Sequence, residues 1–316
     1  MSTVKPIGLH HVTAIASAPW QNVEFYTRVL GLRLVKRTVN FDDPGTYHLY
    51  YGDEHGSPSS LLTFFPWPGA APGQQGTGLA TSTAFSIPGS SLGFWHERLV
   101  GLGVQTEAPV SRGEEEVLRF YDHDGMVIDL VASAGDQRSG WDGVSAIPAE
   151  HAVRGLHSVT LTEASLDATA ALLTSGMSMT VAAEATDTAR FAMAEGVAGS
   201  IVDLAAERTS PGRQAAGTVH HVAFRAPDLE TIGLWRDELV EAGLRVTEIL
   251  DRQYFKSIYF REPGGVLFEL ATEAPGFDVD EPLLELGRSL KLPPWLEPTR
   301  EQIEAALPPL PSIENV

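Results

Sequence analysis

TVHHVAFRAPDLETIGLWRDELVEAGLRVTEILDRQYFKSIYFREPGGVLFELAT (218–272) reads as one complete structural unit, a strand followed by a helix and three more strands. TVHHVAFRA alternates in the manner of a half-buried strand. DLETIGLWRDELVEAGL carries helical periodicity, with Asp228 placed as N-cap and Gly243 near the stop. RVTEILD, SIYFRE and VLFELAT then read as strands. Between the last two, Pro263, Gly264 and Gly265 form a hairpin loop; if it has three residues, Tyr259 lies across from Glu269 and faces the same side.

The same frame occurs four times along the 316 residues. The first copy has GLHHVTAIA as a strand, PWQNVEFYTRVLGL as a helix, and RLVKRTVNF, TYHLYYGD and SLLTFFPW as strands. The second runs from LATSTAFSIP through FWHERLVGLG to YDHDGMVIDLVAS, and the third from LHSVTLTEA through LDATAALLTSG to SIVDLAAE. Between copies two and three, SAGDQRSGWDGVSAIPAEHAVRG is rich in Gly, Ser and charge and marks a linker. We divide the chain there, into residues 1–145 (modules one and two) and 146–316 (modules three and four). Beyond residue 273 a tail with paired prolines and two short helical patterns is expected to wrap back over the body.

Composition narrows the chemistry. No cysteine is present, so thiolate nucleophiles, disulfides and thiolate metal sites are excluded, and His and carboxylates remain as ligands. The formal charge of −19 would repel a phosphate backbone, which argues against nucleic acid as a partner. The N-terminus lacks a signal-peptide pattern and no apolar run is long enough for a membrane span, so the expected location is the cytoplasm, with no membrane partner.

The two HHV triplets, His10-His11-Val12 and His220-His221-Val222, open modules one and four in matching frames. A lone histidine is more often a packing residue than a ligand. Two in equivalent positions, with Glu269 on an otherwise apolar strand, point to a metal, because an ionised carboxylate in such a place needs a compensating cation. Strand alternation turns one imidazole of each pair inward and the other away, and sets Thr13 beside His11. In copies two and three the His221 position becomes Ser82 and Ser158, and the Glu269 position becomes Asp129 and Asp203. Copy one has Thr63 where the carboxylate would be. Two imidazoles and one carboxylate form a facial triad suited to non-haem Fe(II), with open positions left for guests; Mn(II) fits the same ligands.

GLHHVTAIA, FYTRVLGLRLVKRTVNFDDPGTYHLYYGD, TFFPWPG, TVHHVAFRA, IYFREPGGVLFELATEAPGF and LPPWLE together resemble the vicinal-oxygen-chelate superfamily. Within it they look like the ring-cleaving dioxygenases of the hydroquinone 1,2-dioxygenase type. The resemblance covers nearly the whole chain. It implies an α+β fold of four βαβββ modules forming two glyoxalase/bleomycin-resistance-like domains, with modules one and four sharing a cup that holds iron on His11, His221 and Glu269. It also implies functional roles for His10, Thr13, His220, Arg252 and Tyr259. His10 and His220 would need a bulge to reach substrate; otherwise they serve to hydrogen-bond the ligands.

The expected activity is cleavage of a hydroquinone-type ring with O2, the partners being a small aromatic substrate and dioxygen. Tyr259 and His220 are expected in hydrogen bonding and acid–base work, and Arg252 in stabilising an oxyanion. A catechol-cleaving enzyme is less expected, since that branch takes its ligands from the C-terminal half and copy three offers Ser158. Two alternatives stay open: a glyoxalase-type metal-dependent isomerase or thiol transferase, and a non-catalytic binder of small aromatics. A homo-oligomer is also left open.

Overall fold

The computed structural model describes residues 3–144, 146–194 and 196–310. The division drawn near residue 145 falls on Ser145, which lies outside the described residues. Module one contains β1 (Leu9–Ala16), α1 (Pro19–Glu24) continued by a wider turn over Phe25–Val29, β2 (Arg33–Asn40), β3 (Asp43–Gly52) and β4 (Leu61–Pro66). Module two contains β5 (Leu79–Ile87), α2 (Leu92–Gly101), β6 (Val110–Arg112), β7 (Glu115–Tyr121) and β8 (Val127–Ala132). Module three contains β9 (Gly155–Glu163), α3 (Asp167–Ala171), β10 (Thr180–Glu184), β11 (Thr188–Ala192) and β12 (Ile201–Ala206). Module four contains β13 (Thr218–Ala226), α4 (Leu229–Glu241), β14 (Leu250–Asp251), β15 (Lys256–Arg261) and β16 (Leu267–Thr272).

The strands form two curled eight-stranded sheets, in the orders β14-β15-β16-β13-β1-β4-β3-β2 and β10-β11-β12-β9-β5-β8-β7-β6. Module one is therefore joined to module four through the antiparallel pair β1/β13, and module two to module three through β5/β9. In every module the first strand pairs in parallel with the last. Each cup is thus built from both halves of the chain, with the first and last strands of its two modules at its centre.

Local chemistry explains the elements. The Asp228 carboxylate accepts from the Thr231 backbone N–H at 2.7 Å and starts α4. Ile232, Trp235 and Leu239 give that helix its buried stripe, and Gly243, at φ +90°, ends it. RVTEILD forms less strand than its alternation suggests. Only Leu250 and Asp251 pair, with a single bridge from Val246 to Phe260, because this edge segment is mostly exposed and has little to bury. All eight residues of β1 and all six of β4 are buried, as expected of strands covered on both faces. One apolar cluster draws residues from all four modules, among them Tyr26, Trp95, Leu173 and Trp235. No helix among the described residues is long and apolar enough to cross a membrane.

The tail does return over the body, along the outer edge of β2. The Lys291 N–H donates to the Arg37 carbonyl at 2.9 Å, and Leu292 and Ile303 of α5 (Arg300–Ala306) pack against Val39. Lys36, fully buried, is held by Asp280 and Glu281, each at 2.6 Å. This covering relieves the unpaired edge that β2 would otherwise present.

Candidate metal centre

His11 lies on β1, His221 on β13 and Glu269 on β16, three of the four central strands of the first sheet. The β1/β13 ladder is bulged twice. Leu9 faces Phe224 and His11 faces Ala223, leaving His10 without a partner; Thr13 faces His221 and Ala14 faces Val219, leaving His220 without one. A bulge places two consecutive side chains toward one side. In the second triplet this corrects the simple alternation of one imidazole in and one away, since His220 and His221 both line the cavity described below; in the first triplet His10 is turned away from it. His10 Nδ1 lies 2.8 Å from His11 Nδ1, and His220 Nδ1 lies 2.8 Å from His221 Nδ1.

These contacts orient the inner nitrogens. The Nε2 atom of His10 is 3.1 Å from the Thr272 carbonyl, which can only accept, so this nitrogen carries the proton. Burial and the neighbouring His11 lower the His10 pKa to about 3, so the ring is neutral and its Nδ1 accepts from His11 Nδ1–H. The lone pair of His11 then sits on Nε2, directed inward. Burial and His221 likewise lower His220 to about 3. The Nδ1–Nδ1 contact lets His221 present its Nε2 lone pair in the same way. Partners of this kind on the outer nitrogen are what fix metal-bound histidines.

The three inner groups converge. The two Nε2 atoms are 3.2 Å apart, and Glu269 Oε2 lies 3.3 Å from His11 Nε2 and 2.9 Å from His221 Nε2. Glu269 is fully buried, yet neither carboxylate oxygen has a hydrogen-bond donor. Burial alone pushes the Glu269 carboxyl up, and only positive charge at the His11 and His221 ring nitrogens holds it well below the usual carboxylate range; with both Nε2 atoms presenting lone pairs, that charge has to come from elsewhere. Burial also lowers His221. A dry cluster of two lone pairs and one unpaired carboxylate is deficient in positive charge, and a divalent cation supplies what is missing. Among the described residues these three are the group placed to hold a metal.

A cavity of about 520 Å³ opens from this cluster, lined by His11, His221, His48, Phe65, Arg252 and Tyr259 among others. Tyr259 is paired with Glu269 across β15/β16, the register expected from the hairpin. Arg252 sits in the loop after β14, and its Nε donates to the Tyr259 hydroxyl at 3.2 Å, while its Nη1 is 3.0 Å from Asp42 of module one. Burial opposes its charge, but the Tyr259 and Asp42 groups raise its pKa, so it stays cationic. Burial and the Glu269 charge raise the Tyr259 phenol, which stays protonated. His220 is half-buried and lines the cavity, whereas His10 lies behind His11 and lines a separate hollow.

Thr13 is fully buried and does not line the cavity; its hydroxyl lies 2.7 Å from that of Thr63. From Thr63 a chain continues through His48 Nε2 at 2.9 Å and His48 Nδ1 to the Tyr50 hydroxyl at 2.9 Å. His48, kept neutral by burial, and Tyr50 were not foreseen from the sequence. A signal existed: Tyr50 faces Thr63 across β3/β4 as Tyr259 faces Glu269 across β15/β16.

The family model for the glyoxalase/bleomycin resistance protein/dioxygenase superfamily matches twice, over residues 8–130 and 155–270. The chain belongs to this superfamily. It is 45% identical over 309 residues to the "Putative ring-cleaving dioxygenase MhqE" of Bacillus subtilis (strain 168), covering 97% of this chain and all of that protein. It is 32% identical to the chlorohydroquinone/hydroquinone 1,2-dioxygenase of a Sphingobium indicum strain, over 94% of each chain. A crystal structure of a "putative dioxygenase" from Bacillus subtilis superposes with a TM-score of 0.93 at 40% identity, covering 97% of this chain and 98% of that one. Glyoxalase I from Zea mays shares the fold, with a TM-score of 0.63 at 15% identity over 84% of this chain and 92% of that one. The protein is thus an oxidoreductase of the dioxygenase kind, and its superfamily implies a divalent metal, which the buried His11–His221–Glu269 cluster fits.

The second cup has the superfamily's frame without its ligand set. It repeats both bulges, leaving Thr81 and His157 unpaired, so His157–Ser158 matches His10–His11 and Thr81–Ser82 matches His220–His221. Where the first cup has Tyr259 across from Glu269, the second has Arg119 across from Asp129 and Arg190 across from Asp203. Arg119 holds Asp129 at 2.8 and 2.9 Å, and Arg190 holds Asp203 at 2.7 and 3.0 Å. A protein guanidinium neutralises each carboxylate that a metal would otherwise have to balance.

Proposed function

We propose that this dioxygenase uses iron(II) on His11, His221 and Glu269 to cleave the aromatic ring of a hydroquinone-type para-diol, substituted or not. The observation that carries this is a buried, donorless triad at the base of a cavity whose walls include Phe65, Trp67, Phe41 and Phe255. Aromatic walls favour a flat apolar guest, and a few polar groups among them fix its orientation. The hydroquinone dioxygenase among the relatives supports the same substrate class.

Bound iron(II) would supply the electron path between the aromatic ring and dioxygen. The chain's own residues account for the rest. His11, His221 and Glu269 contribute one negative charge, so with a divalent ion held there the site would favour a singly deprotonated ring hydroxyl over a neutral one. Tyr259, held protonated, is placed to donate a proton, and His220 to exchange one at the cavity wall. The Arg252 guanidinium fixes the Tyr259 hydroxyl and stabilises negative charge developing on oxygen. Thr13 acts at one remove, through Thr63 and His48. Thr63 also bears on the isomerase alternative: its hydroxyl is engaged by Thr13 and His48, and among the described residues the metal-ligating group is limited to His11, His221 and Glu269.

The test is anaerobic reconstitution with Fe(II) or Mn(II), then oxygen-electrode assays on hydroquinone, chlorinated and alkylated hydroquinones, and catechol. One O2 consumed per hydroquinone, with Fe(II) more active than Mn(II), is expected. Turnover without O2, or on catechol alone, would overturn the assignment.

A further inference from the structure

The turn joining β2 to β3, Asn40-Phe41-Asp42-Asp43, reaches three separate parts of the cavity wall. Phe41 itself lines the cavity. Asp42, at the exposed rim, spans to Arg252 of module four at 3.0 Å. The Asp43 carboxylate accepts from the indole N–H of Trp67, another wall residue, at 3.0 Å. Three consecutive side chains of one turn therefore set the shape of the mouth.

Phe41 is supported from behind. Its ring meets Trp295 of the tail edge to face, with centroids 5.7 Å apart. It packs between two apolar clusters, one with Tyr50, Phe255 and Phe277, the other with Leu292, Ile303 and Leu296. Among the described residues no tail residue lines the cavity; the tail reaches its wall through Trp295 behind Phe41 and through Phe277, whose ring meets that of Tyr50 with centroids 5.1 Å apart. The Lys36–Asp280–Glu281 cluster and the Lys291–Arg37 hydrogen bond anchor the tail to β2, the strand that leads into the turn.

We propose that Phe41 selects among ring substituents, with Trp295 as the backstop that prevents its retreat. The inference rests on the cup being the ring-binding site. A ring seated against the triad directs its substituents toward the mouth, where a bulky group must displace Phe41. Trp295, itself 47% exposed, stands directly behind the Phe41 ring, so Phe41 can retreat from an added group only by displacing that contact. The tail thus acts as a specificity element without touching the guest.

The experiment is calorimetric binding, without oxygen, of hydroquinone and its methyl and tert-butyl derivatives to the metal-reconstituted protein and to Phe41→Ala, Phe41→Trp, Trp295→Ala and Trp295→Phe. In Phe41→Ala and Trp295→Ala, the affinity for the tert-butyl compound relative to hydroquinone is expected to rise at least about tenfold, the scale on which one hydrophobic pocket contact discriminates. Phe41→Trp shifts the ratio the other way, and Trp295→Phe, which keeps an aromatic edge, stays near wild type. An unchanged ratio in Phe41→Ala overturns the selector. A shift in Phe41→Ala but none in Trp295→Ala overturns the backstop. Oxygen uptake on the same compounds separates this from the activity: shifted ratios without uptake retain the selector and remove the ring-cleaving assignment, uptake with unshifted ratios does the reverse, and a wild type that binds none overturns both.

Discussion

Replacing Lys36 with methionine removes the cation that anchors the tail and leaves two carboxylates facing an apolar side chain. Lys36 and the Glu281 side chain are 0% and 2% exposed, whereas that of Asp280 is 21% exposed. Removing one partner of a buried ion pair costs about 3–5 kcal/mol. Two features favour the lower end. Asp280 can rehydrate while still accepting from Tyr254 at 3.0 Å, and Glu281 keeps the Ser289 hydroxyl at 3.0 Å. A loss of about 3 kcal/mol is expected in urea unfolding at pH 7, with faster proteolytic cleavage near residues 280–290. Adding Glu281→Gln to Lys36→Met should recover about 1–2 kcal/mol, because the stranded charge is then gone. A loss below about 1 kcal/mol for the single variant, or no recovery in the double, would refute this account of the tail.

Glu163, at the junction of module three with the β15/β16 hairpin, has its pKa pushed up to about 8 by burial and by Glu262. The folded chain retains a proton that an unfolded glutamate releases near 4.5, so stability falls as pH rises from there toward about 8 and then levels off. Glu163→Gln should remove that slope, giving little change in urea stability at pH 4.5 and a gain on the order of 2 kcal/mol at pH 8.5, where the buried charge beside Glu262 is then absent. Equal effects at both pH values would contradict it. In the second cup, Arg119→Met strands Asp129, which keeps only Ser82 at 2.8 Å. A loss of about 2 kcal/mol, discounted for the 40% exposure of the Arg119 side chain, is expected. Arg119→Met combined with Asp129→Asn should restore most of it in the same unfolding assay.

The fold and the triad were legible because their signals are local and repeated. Two HHV triplets in matching frames, an acid on an apolar strand and a hairpin that sets Tyr259 opposite Glu269 need only strand parity and a turn length to be read. Thr63, Ser82 and Ser158 were equally informative, because they show which modules lack ligands. What escaped depends on backbone irregularity or on long-range contact. A bulge is a one-residue departure from pairing, so no spacing rule announces that His10 and His220 turn toward their neighbours. His48 and Tyr50 lie in the one module of the cup without a carboxylate, which drew attention away from TYHLYYGD. Asp42 meets Arg252, and Phe41 meets Trp295, across 210 and 254 positions of sequence. The arginines that neutralise Asp129 and Asp203 sit at the cross-strand position that Tyr259 occupies in the first cup. They could have been found by extending the Tyr259–Glu269 comparison to all four repeats.

Two imidazoles and one carboxylate, convergent and without donors, make a divalent-metal site. Anaerobic calorimetric titration of the metal-free protein with Fe(II) or Mn(II) tests it without reference to turnover. One ion per chain is expected for the wild type, with affinity at least about a hundredfold weaker in Glu269→Gln, which loses the one anionic ligand, and in His221→Ala, which loses one of two imidazoles. Wild-type protein that takes up no ion, or a Glu269→Gln variant that binds as tightly as wild type, would contradict it.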